Sequence, residues 1–424
     1  MERMLQYIWK HRLFSEADFV TTEGKPVFVI DTGIPNTDAG PDFFNAKIRI
    51  GDTVWVGNVE IHQRSSDWFL HHHQKDKQYD SVVLHVVRQY DVDVFRTNHE
   101  PILQAVLQVP EKIERNIEWL LSRDTPVSCA ERLVSVPSLH LSAWMSALLT
   151  ERLERKTDDI FVRLKNNLKD WNEMFYITLM RNFGFGVNGD AFELLAGSLP
   201  YKYILKHRNN PAQIEALFFG QAGLLDDDGD WQADPYFLLL RREYDFLRKK
   251  YRLQQVDSYL FKKLRVRPVN FPHVRIAQIA AMWINHDLLF SKILEAENVK
   301  ALRALFNVAP SEYWLTHYRF DRVSNARKKS LGKYASDIIL INTAIPTLFA
   351  YGKYTNRPEY CDRALRLLEE ITPERNSIVA LFHRYGVSVN HAGDSQALIQ
   401  LRREYCDKKK CLYCRIGFRV IGNS

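Results

Sequence analysis

Between residues 57 and 87 the chain reads GNVEIHQRSSDWFLHHHQKDKQYDSVVLHVV, which sets Glu60 and five histidines, His62, His71, His72, His73 and His85, between two strand-like runs. Side chains alternate along an extended strand. In TVWVGNVEIH, Glu60 and His62 therefore project to one side while Val59 and Ile61 face the other. Upstream, Gly40 and Pro41 form a tight entry into FFNAKIRI and leave Asp42 near a sheet end. If these strands are neighbours, Asp42 and Glu60 converge on one divalent cation. A metal on two carboxylates supplies an in-line water and neutralises charge developing on a phosphoryl group. An imidazole has a reference pKa of about 6.5, so His62 suits a general base or a metal ligand. The same residues also fit a plainer arrangement, in which Asp42 caps a turn and Glu60 and His62 form a hydrogen-bonded polar pair.

The segment SSDWFLHHHQKDKQYD is long enough for a helix, with Ser65 or Ser66 as its cap. In a helix, Asp67 and His71 lie four apart, as do His72 and Asp76, while His73 and Asp76 lie three apart. Each pair is able to orient an imidazole, but three consecutive histidines on a helix point in three directions, so at most one or two serve a single site. His85 lies in a strand that is apolar on both faces, and a histidine buried there needs a hydrogen-bond partner. His71, His73 and His85 are further metal-ligand candidates.

The elements that must carry these residues change character along the chain. The 424 residues, 46% hydrophobic, are enough for two cores. After an amphipathic opening helix come PVFVIDTG, FFNAKIRIG, TVWVGNVEIH, SVVLHVV and PILQAVLQVP, short β-rich runs punctuated by turn residues. From about residue 130 the periodicity is helical, as in LSAWMSALLTERLERKTDDIFVRLKNNL and PYFLLLRREYDFLRKKY. The expected fold is α+β: a mixed N-terminal sheet with flanking helices over residues 1–125 and a larger all-α domain over 126–424. Residues 1–125 hold 14 Lys and Arg against 19 Asp and Glu, a net of −5, which leaves 44 against 32, or +12, for the remainder. An acidic, His-rich segment can hold a cation, and a basic remainder can attract a polyanion.

No stretch has the roughly 18 to 20 apolar residues of a membrane span, and the nearest, IILINTAIPTLFAYG, contains Asn342, Thr343 and Pro346. The start, MERMLQYIWKHRLF, lacks the pattern of a signal peptide, so a cytoplasmic location is expected. Five cysteines argue for reduced thiols or a metal rather than a disulfide framework.

The arrangement resembles the PD-(D/E)XK nuclease superfamily. Pro41-Asp42 matches its PD, Glu60-Ile61-His62 its Glu-x-Lys, and SVVLHVV the strand after its second helix. The resemblance covers about 90 residues. It implies a restriction-endonuclease-like sheet in which Asp42, Glu60 and the Ile61 carbonyl hold magnesium or manganese and His62 takes the lysine position. Histidine there departs from the pattern, because an imidazole is mostly neutral where an ammonium carries a fixed charge. The whole chain also resembles an uncharacterised bacterial family, a domain of unknown function, through GPDFFNAKI, GNVEIH, SDWFLHHHQKD, IEALFFGQAGLL, RPVNFPHVRIAQIAA, INTAIPTLFAYG and CLYCRIG.

In the tail, Cys406, Cys411 and Cys414 have a C-x4-C-x2-C spacing that brings three thiolates close enough for zinc or an iron–sulfur cluster. Cys361, His391 or Cys129 is available as a fourth ligand. Residues 401–424 carry seven Lys and Arg against two acidic residues, and FKKLRVRPVNF and NARKKSLGKY add basic stretches with aromatic neighbours, a composition suited to nucleic acid and equally found on solvated helix faces. The formal G-x-G-x-x-G of Gly184, Gly186 and Gly189 follows a helical run, so it reads as a connector with Asp190 capping the next helix. DDDGD at 226–230 reads as a solvated turn. The expected function is metal-dependent hydrolysis of DNA or RNA by Asp42, Glu60 and His62. The alternatives are a non-catalytic nucleic-acid-binding or scaffold protein of the same fold, and a metalloenzyme acting on a small substrate through His71, His73 and His85.

Overall fold

A computed structural model describes residues 2–226, 234–264, 266–320 and 322–422. Its internal contacts divide the chain into two units: Met1–Trp144 with Arg384–Val387 and Leu401–Ser424, and Met145–His383 with Ser388–Gln400. The first unit therefore runs past residue 125 and takes in the basic, cysteine-containing tail.

The first unit opens with α1 (Glu2–Lys10), which buries Leu5, Tyr7, Ile8 and Trp9. Its sheet contains β1 (Val27–Asp31), β2 (Ile34–Pro35), β3 (Phe43–Ile50), β4 (Thr53–Arg64), β5 (Val82–Gln89) and β6 (Gln104–Val106). The strand order is β1-β3-β4-β5-β6, with β2 paired to β3. β3 and β4 form an antiparallel hairpin closed by Gly51 and Asp52. Gly51 has φ +57°, a left-handed torsion that glycine adopts without steric cost. β4 then pairs in parallel with β5 (Glu60↔His85, His62↔Val87), and β5 in parallel with β6 (His85↔Gln104). The first half of β4 is largely exposed, whereas Val59, Glu60, Ile61 and His62 are all buried. The mixed sheet followed by a larger helical region makes the chain α+β.

The link between β4 and β5 departs from the expected continuous helix. It is one helical turn, α2 (Asp67–Leu70), followed by two 3-10 turns over His73–Lys75 and Lys77–Ser81. The break is at His72, whose φ of 63° is left-handed. The helical pairing of Asp67 with His71 does not form: Asp67 Oδ2 instead accepts from the Arg64 amide at 2.9 Å. Nor does Ser66 cap with its side chain, since its hydroxyl donates to Asp91. The link is anchored by Trp68, fully buried with Tyr79, Val82, Val94 and Ile102, whose Nε1–H donates to the Phe95 carbonyl at 3.2 Å.

The second unit is built of packed helices, among them Trp171–Phe183 against Gly189–Ser198, Pro211–Gln221 against Pro235–Tyr251, and Ile345–Thr355 against Pro358–Glu369. Their starts follow ordinary capping chemistry: the side chains of Asp170, Asn210 and Asp234 accept from first-turn amides, and proline opens two of these helices. Gly184, Gly186 and Gly189 connect two helices, with Gly186 at φ +81°. Asn188 occupies the cap position, and Asp190 pairs with Arg181 at 2.8 Å instead of capping. Of the acidic turn, residues 227–230 lie outside the described residues. Among the described residues no helix is long and apolar enough to cross a membrane.

Candidate metal centre

Backbone amides tie Asp42, just before β3, to the end of β4 that carries Glu60. The Asp42 amide donates to Glu60 Oε2 at 2.9 Å, and the Ile61 amide donates to Asp42 Oδ2 at 3.1 Å. From α1, Gln6 Nε2 donates to Asp42 Oδ1 at 2.8 Å. Ile61 thus meets Asp42 through its N–H, a contact separate from the metal-ligand role its carbonyl has in the resemblance. Burial, reinforced by the neighbouring Glu60, pushes the Asp42 carboxyl up to about 7. Burial likewise pushes Glu60 up to about 8.

Four histidines gather beside this pair, and their hydrogen bonds determine where the ring protons sit. Gln104, on β6, donates through Nε2 to the Val92 carbonyl at 3.0 Å, which turns its Oε1 toward His85 Nδ1 at 3.1 Å. That nitrogen must carry the proton, leaving a lone pair on His85 Nε2. His62 Nδ1 lies 2.9 Å from His85 Nε2 and therefore donates to it. The lone pair of His62 is consequently on Nε2, which lies 3.4 Å from Glu60 Oε1 and 3.1 Å from His71 Nδ1. His73 Nε2 approaches the same Glu60 oxygen at 3.3 Å, is buried, and has no hydrogen-bond partner. The His73 ring is held by stacking on Tyr79 at 3.7 Å and by the edge of Trp68 at 5.2 Å.

Glu60 and His62 lie 3.4 Å apart but do not form an ion pair, because the imidazole stays neutral. Burial and the neighbouring imidazoles push His62 down to about 2. Burial pushes His85 down to about 3. Both rings are therefore neutral at pH 7, as metal ligation requires. The ligand atoms of His62, His71 and His73 all lie within 4.8 Å of one another, with Glu60 Oε1 alongside. Imidazole nitrogens with a carboxylate oxygen suit zinc, manganese or iron better than magnesium, which favours all-oxygen sites. The orphaned Nε2 of buried His73 fits such an ion. His85 has both nitrogens engaged, so it stands behind His62 as a support and not as a ligand. His72 is exposed.

The site borders a cleft of about 290 Å³. Asp42 and Gln6 lie on its wall with Arg3, Lys10, Phe418 and Arg415. The Cys406, Cys411 and Cys414 tail belongs to this first unit, as does Cys129, whereas Cys361 and His391 belong to the second.

The supporting residues Gln6, Trp68, Tyr79 and Gln104 were not singled out from the sequence. Gln104 left one signal, a polar residue interrupting the apolar run PILQAVLQVP. Comparison with known proteins places the chain at this point. It belongs to the family described as Protein of unknown function (DUF2851), whose model matches residues 2–377. That match takes in Asp42, Glu60 and all four clustered histidines of this family member. Neither curated proteins nor solved structures give a match.

Proposed function

We propose that this DUF2851 protein hydrolyses phosphodiester bonds of nucleic acid with a metal ion held by His62, His71, His73 and Glu60. The observation that carries the reading is the chain of imidazoles running from Gln104 through His85, which directs the His62 lone pair to the same Glu60 oxygen that His73 approaches. Burial keeps a proton on Glu60, and His71 Nδ1 lies within hydrogen-bond distance of His62 Nε2; a cation would displace these protons and take the same lone pairs. When bound, the ion would polarise a phosphoryl oxygen and activate water.

In this reading His62 is a ligand and not a general base, because its other nitrogen gives its proton to His85. Asp42 is the residue placed to orient a water or take its proton, since it lies on the cleft and beside Glu60. Arg3, Lys10 and Arg415 provide the positive wall for phosphates, with Phe418 on the same wall for base stacking. The antiparallel hairpin with Asp42 just before its first strand and Glu60 on its second, followed by a parallel strand, supports the nuclease resemblance.

The test is cleavage of labelled single- and double-stranded DNA and RNA with manganese, zinc or magnesium, comparing wild type with Glu60→Ala and His73→Ala. Metal-dependent cleavage lost in both variants supports the proposal. Salt-sensitive binding without cleavage under every metal sinks it in favour of the binding-only reading.

A further inference from the structure

The helical unit has a cleft of its own, about 330 Å³ in volume. Its described lining brings Lys262, Lys263 and Arg319 together with the rings of Phe237, Phe261 and Phe320, and includes no acidic residue. The wall of this cleft is fixed by its backbone. Gly223 turns with φ +67°, and a Cβ there would meet the Val256 carbonyl at 2.7 Å, so only glycine lets the chain pass. The segment carrying the lysines is clamped by buried Asn188, which accepts from the Lys262 amide at 2.7 Å and donates through Nδ2 to the Lys262 carbonyl at 3.0 Å. Phe261, next to it, is buried edge-on against Phe192 with ring centroids 5.6 Å apart. Two exposed lysines thus stand on a held backbone.

His273, the second residue of the helix Pro272–Asn285, lines the same cleft. It is 5% exposed, and its Nδ1 has no hydrogen-bond partner among the described residues. The ring meets the edge of Phe320 at 5.7 Å between centroids, and Phe320 in turn meets Phe237 at 5.2 Å. Burial, with Lys263 and Arg319 nearby, pushes His273 down to about 3, so the ring is neutral at pH 7. A buried polar nitrogen without a partner costs stability, which a ligand atom placed against it recovers. No side chain caps the start of this helix, so the positive end of its dipole adds to the charge of the lysines and the arginine.

These features select one chemistry. Cationic side chains, a helix start and an orphaned ring nitrogen on one cleft favour an anion of high charge density with several acceptor oxygens, which describes a phosphate monoester at pH 7. The phenylalanine rings supply an apolar flank against which a flat group packs. The volume is at the low end of small-molecule pockets, the size of one compact ligand. We propose that this cleft binds a phosphate monoester borne on a flat apolar group, with Lys262, Lys263 and Arg319 meeting the phosphate oxygens and His273 Nδ1 engaging one of them. The site shares no residue with the histidine centre and does not depend on the hydrolytic reading.

Phenyl phosphate is the probe, titrated calorimetrically into full-length protein with a chelator present, so that phosphate on a bound metal is not counted. One site per chain is expected, with affinity at least about tenfold above that of inorganic phosphate and of phenol. Lys262→Ala and Lys263→Ala, both at exposed positions, should each weaken it by about tenfold. Lys300→Ala, outside the cleft, should not. His273→Phe keeps a ring and removes the nitrogen, so it should weaken the probe by a similar factor, which loss of a merely structural histidine would not do. The lysine variants carry the test where His273→Phe fails to fold. The proposal is overturned by absence of phenyl phosphate binding, by affinity indifferent to both lysine variants or to a folded His273→Phe, or by inorganic phosphate or phenol binding as tightly. It is also overturned if a single-stranded oligonucleotide without a terminal phosphate displaces the probe, which would assign these cations to a nucleic-acid backbone.

Discussion

Gln104 and His85 sit opposite each other on parallel strands, and their 3.1 Å contact sets the protonation of ring nitrogens one strand away, beside Glu60. The amide fixes His85, His85 fixes His62, and the lone pair at the end of the relay is the one a metal would take. Gln104→Leu keeps the volume and removes the acceptor. It should leave the fold intact and weaken zinc or manganese binding by about 10- to 100-fold, the usual effect of losing a ligand's outer partner. Competition against a calibrated chelator measures it, and unchanged affinity would dissociate Gln104 from the centre.

Metal-free protein should show an unusual pH response, because its carboxyls and imidazoles shift in opposite directions. Asp42 and Glu60 are raised to about 7 and 8, so the folded state holds protons that the unfolded chain releases near pH 4. Their stabilising effect is full at low pH and declines as pH rises toward 8. His62 and His85 are lowered, so their contribution is full above the unfolded value of 6.5 and is lost as pH falls below it. Between pH 6.5 and 8 the acids act alone. Urea midpoints of chelator-treated protein should therefore fall across that window, and Glu60→Gln should flatten the fall.

Trp68 supports the site by packing, touching both His73 and His85 with ring centroids 5.2 Å away. Trp68→Ala should cost about 3–5 kcal/mol by opening the buried cluster. Trp68→Phe should cost far less, mainly the bond to Phe95, at about 1 kcal/mol. Chemical denaturation distinguishes them, and an alanine variant as stable as wild type would remove Trp68 from the argument.

If the cleft holds a phosphate backbone, Arg3→Ala, Lys10→Ala and Arg415→Ala should each weaken oligonucleotide binding and lower the slope of log affinity against log salt by about 1. Fluorescence anisotropy across a salt series reads this directly. Wild-type slopes in all three variants would place nucleic acid elsewhere or nowhere.

Part of this arrangement was legible in the residues themselves. Period-two alternation put Glu60 and His62 on one side, and the Gly40-Pro41 entry put Asp42 at the strand start. The β-rich first segment and helical remainder also followed from periodicity. The site's remaining members depend on tertiary register. Gln104 matters because β6 aligns it with His85, and no local pattern specifies that alignment. The histidine run misled because a helix was assumed, whereas a single left-handed residue bends the link.

That bend at His72 has a practical consequence for handling the protein. In the folded chain His71 and His72 are exposed while His73 is buried, so within this run a nickel resin meets two imidazoles at the surface. Denaturing the protein frees the third, together with buried His62, His85, His207 and His273, and should tighten its retention, which makes the elution concentration of imidazole a simple report on whether the chain is folded.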